Sequence, residues 1–403
     1  MTDAPRVLHV ITGLGVGGAE HQLRLLLRHL PARCDVVTLT NPGAVADGLR
    51  ADGVRVTDLA MRGNRDLAAL PRLTRLIRSG GYDLVHTHLY RACVYGRIAA
   101  RLAGVRAVVA TEHSLGAAEI EGRPLTAGTR ALYRATERLG TATVAVSATV
   151  AERLAAWGVP GDRIHTVPNG VDAERFRFDP GVRAAVRAAL GVPPGAHAVG
   201  GVGRLVPGKR FDALVRAVAA VAAEGREVVL LIAGDGPERG ALQRLAARLG
   251  VAERVRLLGE CGQEGGGGAP SVPELLGALD LFVSTSAEEA FGLAVVEALA
   301  AGLPVLYRTC PAVEDLPPHE APGARRVTGG DDALVRALRE QTTAAGARRS
   351  AVPPVVRRYA VARTAEQVMD VYRRALAVGR PVLPPQGRPP EHHHPNPIER
   401  TSR

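Results

Sequence analysis

From Arg6 to about Ala377, short apolar runs alternate with longer amphipathic stretches, the pattern of a parallel sheet wrapped by helices. In the first half, strands are predicted at Arg6–Ile11, Asp35–Thr40, Leu84–Thr87, Ala107–Thr111 and Thr143–Val146. A Gly-rich turn and a helix from about Ala19 to Leu30 follow the first strand. A helix running to Trp157 follows the fifth, and Ile164–Pro168 leads into the turn Asn169-Gly170-Val171-Asp172. The pattern then restarts, with strands at Ala198–Val202, Val228–Ala233, Val255–Leu258 and Leu281–Ser284. Helices are expected at Phe211–Glu224, Glu238–Leu249 and Leu293–Ala301.

Two successive repeats predict an α/β protein of two doubly wound, Rossmann-like domains, residues 1–178 and 198–350, facing each other across a cleft. Ligands of such sheets bind outside the carboxyl ends of the strands. Residues 179–197, rich in Ala, Gly and Pro, carry a helix and read as the interdomain connection. Residues 351–378 hold a closing helix over Arg357–Ala377. Residues 379–403 are Pro-rich and polar and read as a disordered tail, whose His392–His394 run is a solvated stretch rather than a metal site. Gly265–Gly268 reads as a flexible surface loop, since no helix follows it directly.

At 403 residues the chain is long enough for two cores plus extensions. Only 3% of it is aromatic, which argues against single-stranded nucleic acid as a partner, because such binding needs stacking platforms. The net charge of +11 suits an anionic partner or a solvated Arg-biased surface. Cys34, Cys93, Cys261 and Cys310 show no metal or redox spacing and read as reduced thiols. The start runs into a strand without a basic-then-apolar leader, and no run approaches the ~18 apolar residues of a membrane span. The expected location is cytoplasmic.

The charge becomes informative through its composition. Of 51 basic residues, 50 are arginine and one is Lys209. A position that stays Lys against such a bias points to a need for a compact ammonium rather than a planar fork. Lys209 and Arg204 share the turn Gly203-Arg204-Leu205-Val206-Pro207-Gly208-Lys209 after a predicted strand, an arrangement suited to a phosphate. It is no Walker loop, since Arg210 follows Lys209 and the glycine spacing differs.

Gly13-Leu14-Gly15-Val16-Gly17-Gly18 formally fits a dinucleotide-binding fingerprint, but the second strand ends Val37-Thr38-Leu39-Thr40-Asn41 without an acidic residue for a ribose. The turn therefore reads as an anion-friendly helix N-terminus rather than an NAD site. Glu289 and Glu297 stand eight apart around Gly292, one before a helix and one within it, placed to accept from paired hydroxyls of a sugar and a ribose. Glu297 lies among apolar neighbours, where a carboxylate without a partner would be costly. His86, His88 and His113 fall at or just after strand ends. They lack a carboxylate or thiol at metal-binding spacing and suit hydrogen bonding to a hydroxyl, or plain structural capping.

Taken in order, these segments resemble glycosyltransferase family 4, retaining nucleotide-sugar enzymes of GT-B fold. The likeness runs through Gly17-Gly18-Ala19-Glu20, Asp83-Leu84-Val85-His86-Thr87-His88, Thr111-Glu112-His113, Val146-Ser147 and Val167-Pro168-Asn169-Gly170-Val171-Asp172. It continues through Gly203-Arg204…Lys209, Gly234-Asp235-Gly236-Pro237 and Glu289…Phe291-Gly292…Glu297-Ala298…Gly302-Leu303-Pro304-Val305. The resemblance implies that Gly17 and Gly18 lend amides near the donor phosphate. Arg204 and Lys209 would neutralise the leaving diphosphate, Glu289 would grip the transferred sugar, and Glu297 the ribose. His113 would face the donor sugar. Gly234, Gly236, Phe291 and Gly292 would complete the donor site, with the Leu257–Gly259 strand end beside the base. It also implies front-side displacement with retention, the departing phosphate helping to take the acceptor proton.

The implied function is transfer of a hexose-type sugar from a UDP- or GDP-sugar to a glycan, lipid-linked or small-molecule acceptor. The nucleotide-sugar would be a co-substrate, with no cofactor and no metal ion, since no Asp-x-Asp motif is present. Two departures touch the donor pocket: Ala290 stands at a common Gly, and Tyr307-Arg308-Thr309-Cys310-Pro311-Ala312 lacks the usual Gly-Gly. Two other readings stay open, a nucleotide-sugar epimerase or hydrolase of the same architecture and a non-catalytic nucleotide-binding partner subunit. The Arg-rich stretches Arg62–Arg78 and Arg91–Arg101 suit either a solvated face or peripheral contact with the inner face of a membrane.

Overall fold

The computed structural model describes residues 4–63, 66, 68–116, 119–120, 123–264, 269–343 and 349–379. The first half supplies β1 (Arg6–Ile11), β2 (Arg33–Thr38), β3 (Arg55–Asp58), β4 (Leu84–His88) and β5 (Ala107–Glu112). A small antiparallel hairpin, β6 (Glu119–Ile120) and β7 (Arg123–Pro124), precedes β8 (Ala142–Ala145) and β9 (Ile164–Thr166). The second half supplies β10 (His197–Val202), β11 (Val228–Ala233), β12 (Val255–Gly259), β13 (Leu281–Ser284), β14 (Val305–Tyr307) and β15 (Ala324–Arg326).

Two parallel sheets result, ordered β3-β2-β1-β4-β5-β8-β9 and β12-β11-β10-β13-β14-β15. Each is a doubly wound sheet whose order reverses once, between β1 and β4 in the first and between β10 and β13 in the second. Such reversals open a crevice at the strands' carboxyl ends. The loops leaving these four strands carry Gly13–Gly18, Leu89, Gly203–Lys209 and Thr285–Gly292. The topology thus brings the sequence-predicted segments together.

Helices cover both sheet faces closely. In β10, a Cβ on Gly200 would come within 2.4 Å of Leu279, and one on Gly201 within 2.9 Å of Phe211. One apolar cluster runs unbroken from Tyr133, Val146 and Trp157 of the first half to Phe282, Phe291 and Tyr359 of the second.

The helix predicted inside the connection, Pro180–Ala189, is not a free linker. Arg183 and Arg187 reach Asp280 at 2.5 and 3.0 Å, and Arg183 also donates to the Leu279 carbonyl. These bonds fasten the helix to the second half, so the chain crosses between halves upstream of it, in residues 167–179. The closing helix is also broken, into Pro354–Arg358 and Val361–Gly379. At the break, the Val171 amide donates to the Tyr359 carbonyl at 2.7 Å and the Val361 amide to the Val171 carbonyl at 3.1 Å. Those two bonds interrupt the helix, with no Pro or Gly at the site. Its second piece buries Ala365, Val368, Met369, Tyr372 and Ala375 with Val7, Leu84 and Val109 of the first sheet.

The two Arg-rich stretches form the helices Ala69–Gly80 and Tyr90–Leu102. The second is not a continuous basic face. Arg97 is fully buried over the Tyr133 ring, and Arg101 donates to the Leu139 carbonyl at 2.7 Å. Among the described residues, no helix is long and apolar enough to cross a membrane. The Gly265–Gly268 loop and the tail from residue 380, with His392–His394, lie outside the described residues.

Candidate active site

A cavity of about 330 Å3 opens between the halves. From the first half it is lined by Gly17, Gly18, His21 and His113; from the second by Arg204, Lys209, Gly234, Glu289, Gly292 and Glu297, among others. Phe291 also lines it, while its ring is buried edge-on against Tyr359, 5.0 Å between centroids. The Leu257–Gly259 strand end, His86 and His88 are not on the wall, and neither is Gly236. A Cβ there would approach the Leu205 carbonyl oxygen to 2.5 Å, and one on Gly234 would fall 1.9 Å from the Gly203 oxygen. Both glycines let the 234–236 turn seat directly on the cationic loop.

That loop is held at both ends; at its start the Gly203 amide donates to the Ala233 carbonyl and the Leu205 amide to the Asp235 carbonyl, each at 2.9 Å. The Thr285 hydroxyl donates to the Lys209 carbonyl at 2.8 Å, and the Ala287 amide donates to the Gly208 carbonyl at 2.9 Å. Arg210 adopts a left-handed φ of 52° as it starts the next helix, and ion pairs to Asp212 and Asp331 hold it. Lys209 Nζ donates to Glu289 Oε1 at 2.5 Å. The predicted phosphate cation and the predicted sugar carboxylate therefore form one ion pair at the cavity wall. Arg204 is exposed nearby on the same wall.

Two helix N-termini also meet the cavity, Gly18–His29 and Leu293–Ala300, and neither has a side-chain cap. Their first amides and dipoles favour an anion. Gly292 enters the second helix at φ 92°, where a Cβ would collide with Cys310 Sγ at 2.4 Å. Beside the first, Glu20 folds back over Gly17, its Oε2 2.3 Å from where a Cβ on Gly17 would lie. Burial raises its pKa, while its own backbone amide and the Arg204 charge act the other way.

Glu297 is buried and accepts from Gln263 Nε2 at 3.2 Å. Burial pushes its pKa up to about 7, against the pull of the Gln263 hydrogen bond and the Arg175 charge. Gln263 itself is bound through its carbonyl by Arg175 at 2.6 Å. Neither partner was legible in the sequence, since they stand 34 and 122 positions from Glu297 without a motif of their own.

On the other side of the cavity the histidines form a stack. His9, His86 and His88 lie on neighbouring strands with His9 and His86 in register, and His113 follows β5. His9 Nδ1 lies 3.0 Å from His88 Nε2, and His88 Nδ1 lies 3.2 Å from His113 Nε2. His86 bridges Tyr372 and Thr111, each at 2.7 Å. Burial drives all four imidazoles toward the neutral form, His9 to about 3, His113 to about 4, and His86 and His88 well below the ordinary value. His9 was missed because a single His in Arg6–Ile11 looks like one polar position in a strand.

His9, His86 and His88 bring ligand nitrogens within 4.8 Å of one another, so the set could hold a metal ion by distance. However, both ring nitrogens of His86 and of His88 are already in hydrogen bonds, and the set contains no anionic ligand. Cys93, Cys261 and Cys310 are buried free thiols and Cys34 is a half-buried one.

Comparison with known proteins agrees with this geometry. Residues 16–175 match the model of Glycosyltransferase Family 4, and residues 196–344 match that of Glycosyl transferases group 1. A D-inositol 3-phosphate glycosyltransferase of Saccharomonospora viridis is 33% identical over 75% of this chain and 72% of its own length. A GDP-mannose-dependent alpha-mannosyltransferase of Mycobacterium tuberculosis is 33% identical over 75% of this chain and 79% of its own. Among solved structures, Anabaena Alr3699/HepE in complex with UDP and glucose superposes with a TM-score of 0.76 at 22% identity, covering 91% of this chain and 98% of that one.

Proposed function

Since the chain belongs to glycosyltransferase family 4 and has its GT-B fold, we propose that it is a retaining transferase, moving a hexose-type sugar from a UDP- or GDP-sugar to a hydroxyl-bearing acceptor. The observation that carries the reading is the wall where Arg204, the Lys209–Glu289 pair and two uncapped helix N-termini meet one cavity.

In the reaction, the bond between the anomeric carbon and the phosphate oxygen breaks, leaving positive charge on the sugar and negative charge on the diphosphate. Arg204 and Lys209 meet the growing negative charge from a loop that is anchored before the reaction begins, and charge stabilisation of this kind lowers the barrier. Lys209 exchanges its contact with Glu289 for the diphosphate, and Glu289 is then free to accept from the sugar's hydroxyls. The acceptor oxygen bonds to the anomeric carbon on the face the phosphate leaves, and its proton passes to the departing phosphate oxygen. His113, neutral at working pH, lies on the sugar side. Gly17 and Gly18 offer amides to the phosphate, and Glu297 holds the ribose.

The two cations do the work a divalent ion would do, so chelation should leave turnover unchanged. The acceptor is a glycan, a lipid-linked sugar or a small polyol, a class that the inositol phosphate and mannosyl relatives support. Transfer to an acceptor also distinguishes this reading from an epimerase or hydrolase, which would turn over the nucleotide-sugar alone. The test is a panel of UDP- and GDP-sugars scored by thermal shift and by donor hydrolysis. Stabilisation by one nucleotide series supports the reading. The absence of both stabilisation and turnover across the panel removes it.

A further inference from the structure

Ser147 reaches from the first half to the segment that carries Glu289. It caps the helix Ala148–Ala156, its hydroxyl oxygen accepting from the Val150 amide at 3.1 Å. An amide can only donate, so the hydroxyl proton is left for another acceptor. It goes to the Ala290 carbonyl of the second half at 2.6 Å. Further along the same helix, Arg153 divides its guanidinium between two loops. One nitrogen donates to the Leu115 carbonyl, two residues after His113, at 2.7 Å, and another pairs with Glu288 at 2.6 Å. Serving two acceptors at once suits a planar fork rather than a point charge.

The segment around Glu289 is therefore anchored in alternation. Ala287 and Phe291 are tied within the second half, the Ala287 amide donating to the Gly208 carbonyl and the Ala312 amide to the Phe291 carbonyl, each at 2.9 Å. Glu288 and Ala290 are tied to the first half. Glu289 stands between those two, and its own carboxylate meets Lys209 at the cavity wall. Both immediate neighbours of Glu289 are thus fixed by one helix of the opposite half.

We infer that Ser147 and Arg153 are positioning residues of the first half that hold the Glu289 carboxylate of the second half in place. Parting the halves would release Glu288 and Ala290 while the ties of Ala287 and Phe291 remain. The loop of Arg204 and Lys209 keeps anchors within the second half, at Ala233, Asp235 and Thr285, so it does not depend on this clasp. The inference rests on the proposed function for the carboxylate's task, the gripping of the transferred sugar.

The test uses the full chain and three variants, Ser147→Ala, Ser147→Asp and Arg153→Met. An ionised Asp still offers an oxygen to the Val150 amide but has no proton for Ala290, which separates the tie from the cap. Each variant should lower kcat at least about tenfold, the cost of a misplaced site group, with the calorimetric Kd for the bound nucleoside diphosphate unchanged. A Ser147→Asp enzyme as fast as the wild type would overturn the inference. A loss of nucleotide affinity as large as the loss in kcat would overturn it too, since the effect would then not be confined to the sugar carboxylate. Without ligand, hydrogen exchange over residues 285–293 should quicken on the order of tenfold in each variant, with the helix Phe211–Ala223 unchanged as the sign that the fold is intact. Unaltered exchange over residues 285–293 in Arg153→Met would contradict the inference even if the Ser147 variants fail to fold, because the Arg153 side chain is 21% exposed and outside the apolar core. Quickened exchange in a protein that turns over no sugar nucleotide would leave the clasp standing and defeat the proposed function instead.

Discussion

The two walls of the cleft are built on opposite electrostatic principles. The first half presents imidazoles that burial keeps neutral, locked to one another and to Tyr372. The second presents full charges, Arg204, Lys209 and Glu289, on loops tied down by backbone hydrogen bonds. A sugar nucleotide is divided in the same way, a neutral polyol joined directly to a charged diphosphate. A cation beside the sugar would work against the positive charge that develops there, and a neutral wall beside the phosphate would leave the leaving group unsupported. Under the proposed function, the second half supplies the cations that stabilise charge, and the first half supplies orientation together with the amides of Gly17 and Gly18.

The largest break in that contrast is Lys209→Ala. Turnover should fall on the order of 10²- to 10³-fold with the fold intact, as for loss of one preorganised donor to developing charge. Lys209→Arg should recover only part of it, because a guanidinium fork replaces a point charge; initial rates with the preferred donor check both. The next effect is on stability. The folded-state pKa of His9 and of His113 lies below the unfolded value, so their stabilising contribution is complete above pH 6.5 and lost as pH falls toward 4 and 3. At pH 5 the deficit is about 2 kcal/mol for each of the two. Denaturant unfolding should show it, and His9→Leu should flatten the curve.

Glu297 sharpens the comparison from the charged side, with the opposite sign. Its folded-state pKa of about 7 lies above the unfolded value, so the wild type loses stability as pH rises from 4.5 to 7. Glu297→Gln should therefore raise stability at pH 8, by about 3 kcal/mol at most, while raising the donor KM. The smallest effect is that of Tyr372→Phe. Loss of its hydroxyl from His86 should cost about 1 kcal/mol of stability and leave donor affinity unchanged.

The charged wall was far more legible in the sequence than the neutral one. Lys209 stood out because no other lysine exists, and Glu297 because a carboxylate amid Ala294–Ala300 needs a reason. Both signals are local. The neutral wall depends on strand register. His9 becomes part of a site only when β1 pairs with β4, and Tyr372 only when the last helix returns across 286 positions of chain. Gln263 and Arg175 were invisible for the same reason. In the fold, the central strands were readable because they are continuous apolar runs. The edge strands β3 and β15, and β14 beside the latter, are three or four residues long and give no period to detect. The break after Arg358 is imposed by bonds to Val171, with no helix-breaking residue to announce it. The docked Pro180–Ala189 helix owes its place to Arg183 and Arg187 meeting Asp280, a pairing that nothing near either end signals.

The most direct test of the division between the walls is calorimetric titration of UDP and GDP into the wild type, Lys209→Ala and His113→Ala. One of the two nucleotides should bind the wild type, at least about tenfold more weakly to Lys209→Ala, a loss of about 1.4 kcal/mol, and with unchanged affinity to His113→Ala. Failure of both nucleotides to bind, or a loss in His113→Ala equal to that in Lys209→Ala, would contradict it.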